Sequence, residues 1–469
     1  MSVLETFAAI VGARHLLTGD EDLAPYLVEE RGLFHGRALA VARPGSTAEV
    51  AALVTAASAA GIAVVPQGGR TGLCGGGVPL TPEPALVIGT ERMDRIRALD
   101  PVDFTLTVEA GCVLATLQAA AAAEGCLFPL SLAAEGSCRI GGNIATNAGG
   151  TNVLRYGSTR DLVLGLEVVL ADGRVWNGLK ALRKDNTGYA LTQLFIGSEG
   201  TLGIITAAVL KLYPQPRERQ TALVAIPDPQ AALTLLGRAR RASGDAVTAC
   251  ELISRRALDF TLRHIPGQRE PVETRTPWLV LLELSSSRPG GLREALEEVL
   301  AAALEDGTAL DAVLAESEAQ RAALWRLRET IPEAQKHEGG SIKHDIAVAT
   351  SRVPELIERA TEAVTAALPG VRVVAFGHIG DGNIHFNLSQ PEGADKQAFL
   401  AEWERINRVV HDVVGEMDGS ISAEHGIGRL KVAELARVKP ALDLDLMRRI
   451  KLALDPDGRM NPGAVLDLG

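Results

Sequence analysis

Four residues near the C-terminal end of the 469-residue chain have the types and spacing of a catalytic metal centre. The stretch AFGHIGDGNIHFNLS (375–389) sets His378 and His385 symmetrically about Asp381-Gly382, and SISAEHGIGRLK (420–431) places Glu424 beside His425. Asp-Gly between two β-prone runs predicts a two-residue type I′ hairpin, a turn that needs φ > 0 at both central positions. Counting outward pairs Gly380 with Asn383, Ile379 with Ile384 and His378 with His385. Opposed residues of a ladder have Cβ atoms roughly 4.5–5.5 Å apart, so both imidazoles would reach one ion, and Asn387 shares their face. Two imidazoles and one carboxylate suit zinc or a similar divalent ion with one position open, as in catalytic sites. His425 would then stand beside the ion as a base. On these residues alone a second reading stays open: two partly buried histidines satisfied by backbone carbonyls, and a polar loop.

Around these residues the chain has two textures. STAEVAALVTAASAAG (46–61) carries Ser46 and Glu49 as a capping box, apolar residues at 50, 53, 54 and 57, and a closing Gly61, which predicts a helix. It runs through a short strand, AVVP, into QGGRTGLCGGGVPL, six glycines in fourteen residues. Strands follow near 85–90 and 104–110, a helix near 113–124, and a second Gly-rich stretch, EGSCRIGGNIATNAGGTNVLRYG (135–157). A hairpin at 162–176 turns at Asp172-Gly173, and FIGSEGTLGIIT (195–206) closes this half. From about 218 the pattern changes to strands alternating with amphipathic helices near 228–243, 291–305, 353–368 and 396–417, an α+β sheet covered by helices.

Three Gly-rich loops in one half let backbone N–H groups approach anionic oxygens closely, so a phosphate-bearing cofactor is expected there, with ligand-free turns as the alternative. Neither common nucleotide site fits. No Lys-Ser/Thr follows the glycines, and the strand, GxGxxG, helix and acidic residue of a dinucleotide site are missing.

The length predicts more than one domain. A formal charge of −11 with no basic cluster excludes a nucleic-acid or anionic-membrane footprint. No apolar run approaches the roughly 18 residues of a membrane span. The opening MSVLETFAAIVGARHLLTGDED lacks a basic region followed by an apolar core and cleavage site, and reads as a surface helix of a cytoplasmic protein. Five cysteines (74, 112, 126, 138, 250) in no CxxC pattern predict reduced, buried thiols.

Taken jointly, PQGGRTGLCGGGVPL, GSCRIGGNIATNAGG, LRYGS, LGLEVVLADG, LRKDNTGYALTQLFIGSEGTLGIIT, GHIGDGNIHFN, SAEHGIG and MNPG resemble the FAD-linked oxidoreductases of the vanillyl-alcohol oxidase fold, in their D-2-hydroxy-acid dehydrogenase branch. The resemblance runs from about residue 37 to the C-terminus. It implies an α+β architecture with a two-part FAD-binding domain over 1–217, an α+β substrate (cap) domain with the metal site over 218–445, and a segment, 446–469, that returns to the FAD domain. By the same resemblance Pro66, Gly68, Gly69, Arg70, Thr71, Gly72, Leu73 and Gly75 belong to the pyrophosphate loop. Ser137, Gly141, Gly142, Asn143, Thr146, Asn147 and Gly150 follow the flavin and ribityl chain, Glu199, Gly200 and Ile205 close the adenosine side, and Asn461 approaches the flavin ring. Relatives with covalent flavin often carry His where Arg70 stands, so non-covalent FAD is expected.

The resemblance also implies a divalent metal, zinc being the expected ion, on His378, His385 and Glu424, with His425 as catalytic base. Substrate would meet Asn387 and the two metal-bearing histidines, and Arg328 and Lys343 would hold its carboxylate, as a guanidinium fork and an ammonium can. The implied reaction is oxidation of a D-2-hydroxy acid to the 2-oxo acid, D-2-hydroxyglutarate to 2-oxoglutarate before D-lactate. Pro332 departs from the pattern, since a hydroxyl-bearing residue is expected there for D-2-hydroxyglutarate. Electron-transfer flavoprotein or a quinone-linked carrier is the expected acceptor, and a homodimer the expected assembly. Two readings from other classes are a non-catalytic flavin-carrying subunit and a metal hydrolase.

Overall fold

The computed structural model describes Met1–Leu468, and the chain divides into two compact units. The first comprises Met1–Gly150, Gly157–Gln215 and the segment from Glu424 onward; the second comprises Thr151–Tyr156 and Pro216–Ala423. The main break falls between Gln215 and Pro216, and the chain returns to the first unit at Glu424.

In the first unit, Leu16–Leu17, Ala38–Ala42, Ala85–Gly89 and Val64–Gln67 form one sheet in that order, its last three strands parallel. The helix Thr47–Ala59 covers it through buried Val50, Leu53, Val54 and Ala57. Its start follows the sequence signal in half: Ser46 accepts the Glu49 N–H at 3.2 Å, but Glu49 bonds the Gly45 N–H at 2.8 Å rather than that of Ser46. The N-terminal helix spans only Val3–Val11 and buries Phe7 in the same core, so its inner face is not surface. A five-stranded antiparallel sheet, Ile96–Asp100, Thr105–Glu109, Ile204–Lys211, Val163–Val169 and Val175–Asn177, completes the layer. None of the five cysteines is in a disulfide, and all are buried.

The second unit is built on one antiparallel sheet. Its order is Asp311–Leu314, Glu218–Ile226, Trp278–Ser286, Val247–Ser254, Arg372–His378, Asn383–Ser389 and Ser341–Ile342, with Asp345–Ala347 also pairing with Asn383–Ser389. On one face Ile253, Leu281, Val374 and Phe376 pack with Leu258, Phe260, Leu324, Trp325, Leu327 and Ile331 from the helices Arg255–His264, Glu318–Glu329 and Ile331–Lys336. The other amphipathic segments form helices at Pro229–Ala242, Leu292–Glu305 and Val353–Ala367, and the last splits at Glu402 into Lys396–Ala401 and Trp403–Glu416. No helix among the described residues is long and apolar enough to cross a membrane.

The histidine hairpin differs from its sequence-based register. Gly382 takes φ of 86°, but Asp381 is not left-handed, so Asp381-Gly382 does not form the expected type I′ turn. Asp381 instead accepts the Asn383 N–H at 3.2 Å through its side chain, within a 3₁₀ turn over Ile379–Asp381. The longer loop moves the pairing by two residues: Phe376, not His378, opposes His385. Side-chain period is two, so this shift leaves both histidines on the expected face.

Candidate active site

In the second unit the register Ile342↔Leu388 and Asp345↔His385 runs without a break, which sets Lys343 opposite Asn387. Side chains two apart on a strand share a face. Lys343, Asp345, His385, Asn387, Phe376, His378 and, across the next pair, Glu251 therefore stand on one face. The His378 and His385 rings lie edge to face with centroids 5.5 Å apart, and Phe376 lies 5.2 Å from His385. His385 Nδ1 is 3.8 Å from Asp345 Oδ1. Asn387 donates to Gln335 at 3.0 Å and Gln335 to Ser389 at 3.0 Å, both within a buried cluster.

Arg328 reaches this face from the end of the helix Glu318–Glu329. Its Nε donates to Glu251 Oε2 at 2.8 Å and its guanidinium lies 4.8 Å from the centre of the Phe376 ring. Glu251 Oε1 takes His378 Nδ1 at 2.6 Å. Burial works to raise the Glu251 carboxyl, but the facing His378 and Arg328, by charge and hydrogen bond, outweigh it and hold it well below the usual carboxylate range. Sequence reasoning missed Glu251. The available signal was the one charged residue in the strand VTACELIS.

In the first unit the two Gly-rich stretches meet backbone to backbone. A Cβ on Gly69 would fall 2.3 Å from Ser137 O, and one on Gly141 2.6 Å from Ala110 Cβ, so only glycine permits the approach. Beside them a cavity of about 410 Å³ is lined by Gly68, Gly69, Arg70, Gly136 and Ser137 together with Tyr26, Arg43, Glu91, Val113 and Arg139. Arg70 has a left-handed backbone, φ 60°, and stacks 4.4 Å from the centre of Tyr26. Three guanidiniums over a glycine wall fit a diphosphate, and the buried Asn143 Oδ1 has no hydrogen-bond partner among the described residues. Both observations suit FAD. Tyr26 and Arg43 come from separate segments with no motif, which is why sequence reasoning did not find them; Arg139 lies within GSCRIGGNIATNAGG and was passed over for the glycines beside it.

Other residues expected at the flavin also make contacts within the first unit. Asn147 Oδ1 accepts from Arg160 N–H at 2.8 Å, Thr146 donates to Gly142 O at 3.0 Å, and Ile205 is buried within its strand. Gly200 packs where a Cβ would strike Pro66, and Gly75 where one would strike Phe34; Thr71, Gly72 and Leu73 continue the Arg70 loop. Asn461 donates to Gly76 O at 2.9 Å and Glu199 O at 2.7 Å and accepts from Arg429 at 3.0 Å, so it ties the C-terminal segment to the glycine loop. The Glu199 carboxylate accepts the N–H groups of Ile427 and Gly428 at 2.8 and 2.9 Å, pinning the loop just after Glu424-His425. Desolvation raises its pKa against those bonds. Burial likewise pulls Arg429 down to about 10.

Glu424 and His425 are half-buried members of the first unit. Glu424 Oε1 accepts the Gly150 N–H at 2.7 Å, and Gly149 leaves no room there for a Cβ. The candidate metal ligand and the candidate flavin loop thus touch directly.

Residues 38–178 match the family model described as "FAD binding domain", and 215–465 the model "FAD linked oxidases, C-terminal domain". The fold is that of p-cresol methylhydroxylase, at a TM-score of 0.78 and 16% identity over 99% of this chain and 96% of that one. This defines a two-part flavoprotein of the vanillyl-alcohol oxidase type, an FAD-dependent oxidoreductase, and displaces the hydrolase and non-catalytic readings. The chain is 40% identical to D-2-hydroxyglutarate dehydrogenase of Xanthomonas citri pv. viticola over 97% of this chain and 95% of that protein. It is 37% identical to the mitochondrial D-2-hydroxyglutarate dehydrogenase of Arabidopsis thaliana, covering 98% and 80%. The chain belongs to the family of FAD-linked oxidoreductases that includes these dehydrogenases.

Proposed function

We propose that this protein oxidises D-2-hydroxyglutarate to 2-oxoglutarate, using non-covalent FAD and a divalent ion, zinc by its donor set, on His378, His385 and Glu424. The observation that carries the reading is the shared face of the second unit's sheet. Two imidazoles for a metal stand there with the cations Lys343 and Arg328 for carboxylate. Chain linkage supports Glu424 as third ligand: Ala423 donates to Asp345 O at 3.2 Å, Asp345 opposes His385, and consecutive Cα atoms are about 3.8 Å apart. The names of the relatives support the substrate.

In this reading Arg328 and Lys343 hold carboxylate, Asn387 supplies an amide to substrate, and His425 takes the hydroxyl proton. Bound FAD supplies the hydride acceptor and the ion the polarisation of the hydroxyl. The electron acceptor, an electron-transfer flavoprotein or quinone-linked carrier, rests on family resemblance. D-lactate is the second reading, favoured by Pro332, which stands second in the helix Ile331–Lys336, four residues after Arg328, and offers no hydroxyl to a distal carboxylate.

An anaerobic screen of D-2-hydroxyglutarate, D-lactate, D-malate and glycolate, read as loss of flavin absorbance, separates the two. The reading requires fastest bleaching by D-2-hydroxyglutarate, and its abolition in a yellow, folded His425→Ala variant. Bleaching by D-lactate alone would transfer the assignment to the second reading.

A further inference from the structure

We propose that Glu251 is a positioning residue, one carboxylate that sets the metal-facing nitrogen of His378 and the substrate-facing edge of Arg328 together. The proposal rests on the assignment of His378 to the metal and Arg328 to substrate carboxylate.

Glu251 lies on the strand Val247–Ser254 directly across from His378 in the ladder, with 1% of its surface exposed. Directly opposed residues have Cβ atoms roughly 4.5–5.5 Å apart, so the backbone register itself brings carboxylate to imidazole. A carboxylate only accepts, and its Oε1 lies 2.6 Å from His378 Nδ1. Nδ1 therefore carries a proton, which leaves Nε2 as the nitrogen that ligates a metal once it gives up its own proton. Oε2 takes Arg328 Nε at 2.8 Å, while Phe376 lies 4.8 Å from the guanidinium. With Nε fixed and a ring alongside, the plane of the fork is set. Among the described residues its two terminal nitrogens make no protein hydrogen bond, and they are the pair that grips a carboxylate.

A purely structural explanation is the weaker one. Replacing a buried charge cluster by apolar side chains of similar volume is often neutral or stabilising, so packing alone gives no reason for an acid in this apolar strand. Its geometry serves two functional side chains at once.

The test uses Glu251→Gln and Glu251→Asp in the full-length flavoprotein. An amide offers one acceptor oxygen and one donor group, so Gln serves His378 or Arg328 and opposes the other with N–H against N–H. We expect divalent-ion affinity, measured by zinc competition with a chelator, to fall roughly 10- to 100-fold. The visible spectrum of the cobalt-substituted protein should shift, and KM for D-2-hydroxyglutarate should rise by more than kcat falls. Asp keeps the charge and should restore part of each. Unchanged zinc affinity, cobalt spectrum and KM in a folded Gln variant overturn the proposal and leave the metal assignment standing. Absence of divalent-ion binding by the wild-type protein overturns both. Should the Gln variant fail to fold, the Asp variant decides: its shorter arm must move the cobalt spectrum and KM, and wild-type values for both overturn the proposal.

Discussion

Gly69→Ala tests the flavin cradle through a clash the structure defines. The added Cβ would lie 2.3 Å from Ser137 O and 2.8 Å from Cys138 Cα, both backbone atoms that cannot swing aside. Ordinary contact distances are roughly 3.5 Å, so the two Gly-rich loops must part by about 1 Å. Overpacking of this kind costs about 1–3 kcal/mol. In the flavin-free protein the loops can relax apart, and binding FAD must draw them together again, so the cost falls on affinity. At about 1.4 kcal/mol per tenfold, the dissociation constant for FAD should rise roughly 5- to 150-fold. Titration of flavin-stripped protein with FAD, followed by quenching of flavin fluorescence, measures it. A thermal melt of the flavin-free protein separates this from a folding defect. If the Ala variant binds FAD with wild-type affinity and melts at the wild-type temperature, the close approach of these loops is not what holds the cofactor.

Three further perturbations address other parts of the site. Arg328→Lys keeps the charge but loses the fork, and one charge-assisted hydrogen bond is worth about 1.5–3 kcal/mol, so KM for D-2-hydroxyglutarate should rise roughly 10- to 100-fold; an unchanged KM removes Arg328 from the substrate. Glu199→Ala strips acceptors from the Ile427 and Gly428 N–H groups, so amide hydrogen exchange there should quicken and turnover fall; unaltered exchange shows that the carboxylate does not hold the loop. Glu109, buried between Arg95 and Arg97, is raised by desolvation but lowered further by bonds to Arg95 and the Arg97 charge, and ends below its usual value of 4.5. Its stabilisation is therefore present above the unfolded pKa and lost as pH falls through the folded one, so Glu109→Gln should flatten the acid limb of stability against pH, and an identical limb would contradict this.

The order of elements was legible because hydrophobic period and capping are local: the helices Thr47–Ala59, Pro229–Ala242 and Leu292–Glu305 fall where Ser46 and the apolar spacing place them. The pairing of His385 was not. It depended on whether Asp381 would accept a left-handed backbone or bond Asn383 instead, a choice between two local geometries that the letters Asp-Gly leave open. Even so, parity kept the two histidines together, because a two-residue shift does not change the face. What remained hidden were side chains made relevant only by tertiary approach. Glu251 gains meaning from the strand opposite it, and Arg43 and Arg139 from a cavity assembled out of distant segments. Asn461, expected at the flavin, also ties the C-terminal segment to the glycine loop, a link that no local pattern in the sequence announces.

The proposed oxidation needs a divalent ion and FAD acting on one substrate molecule. The most direct measurement is anaerobic reduction of the bound flavin by D-2-hydroxyglutarate, before and after exhaustive chelation, with metal content assayed in the same samples. Bleaching that disappears on stripping the ion, while FAD stays bound, and returns with added zinc is the predicted result. Bleaching at the original rate in protein shown to be metal-free would contradict the account.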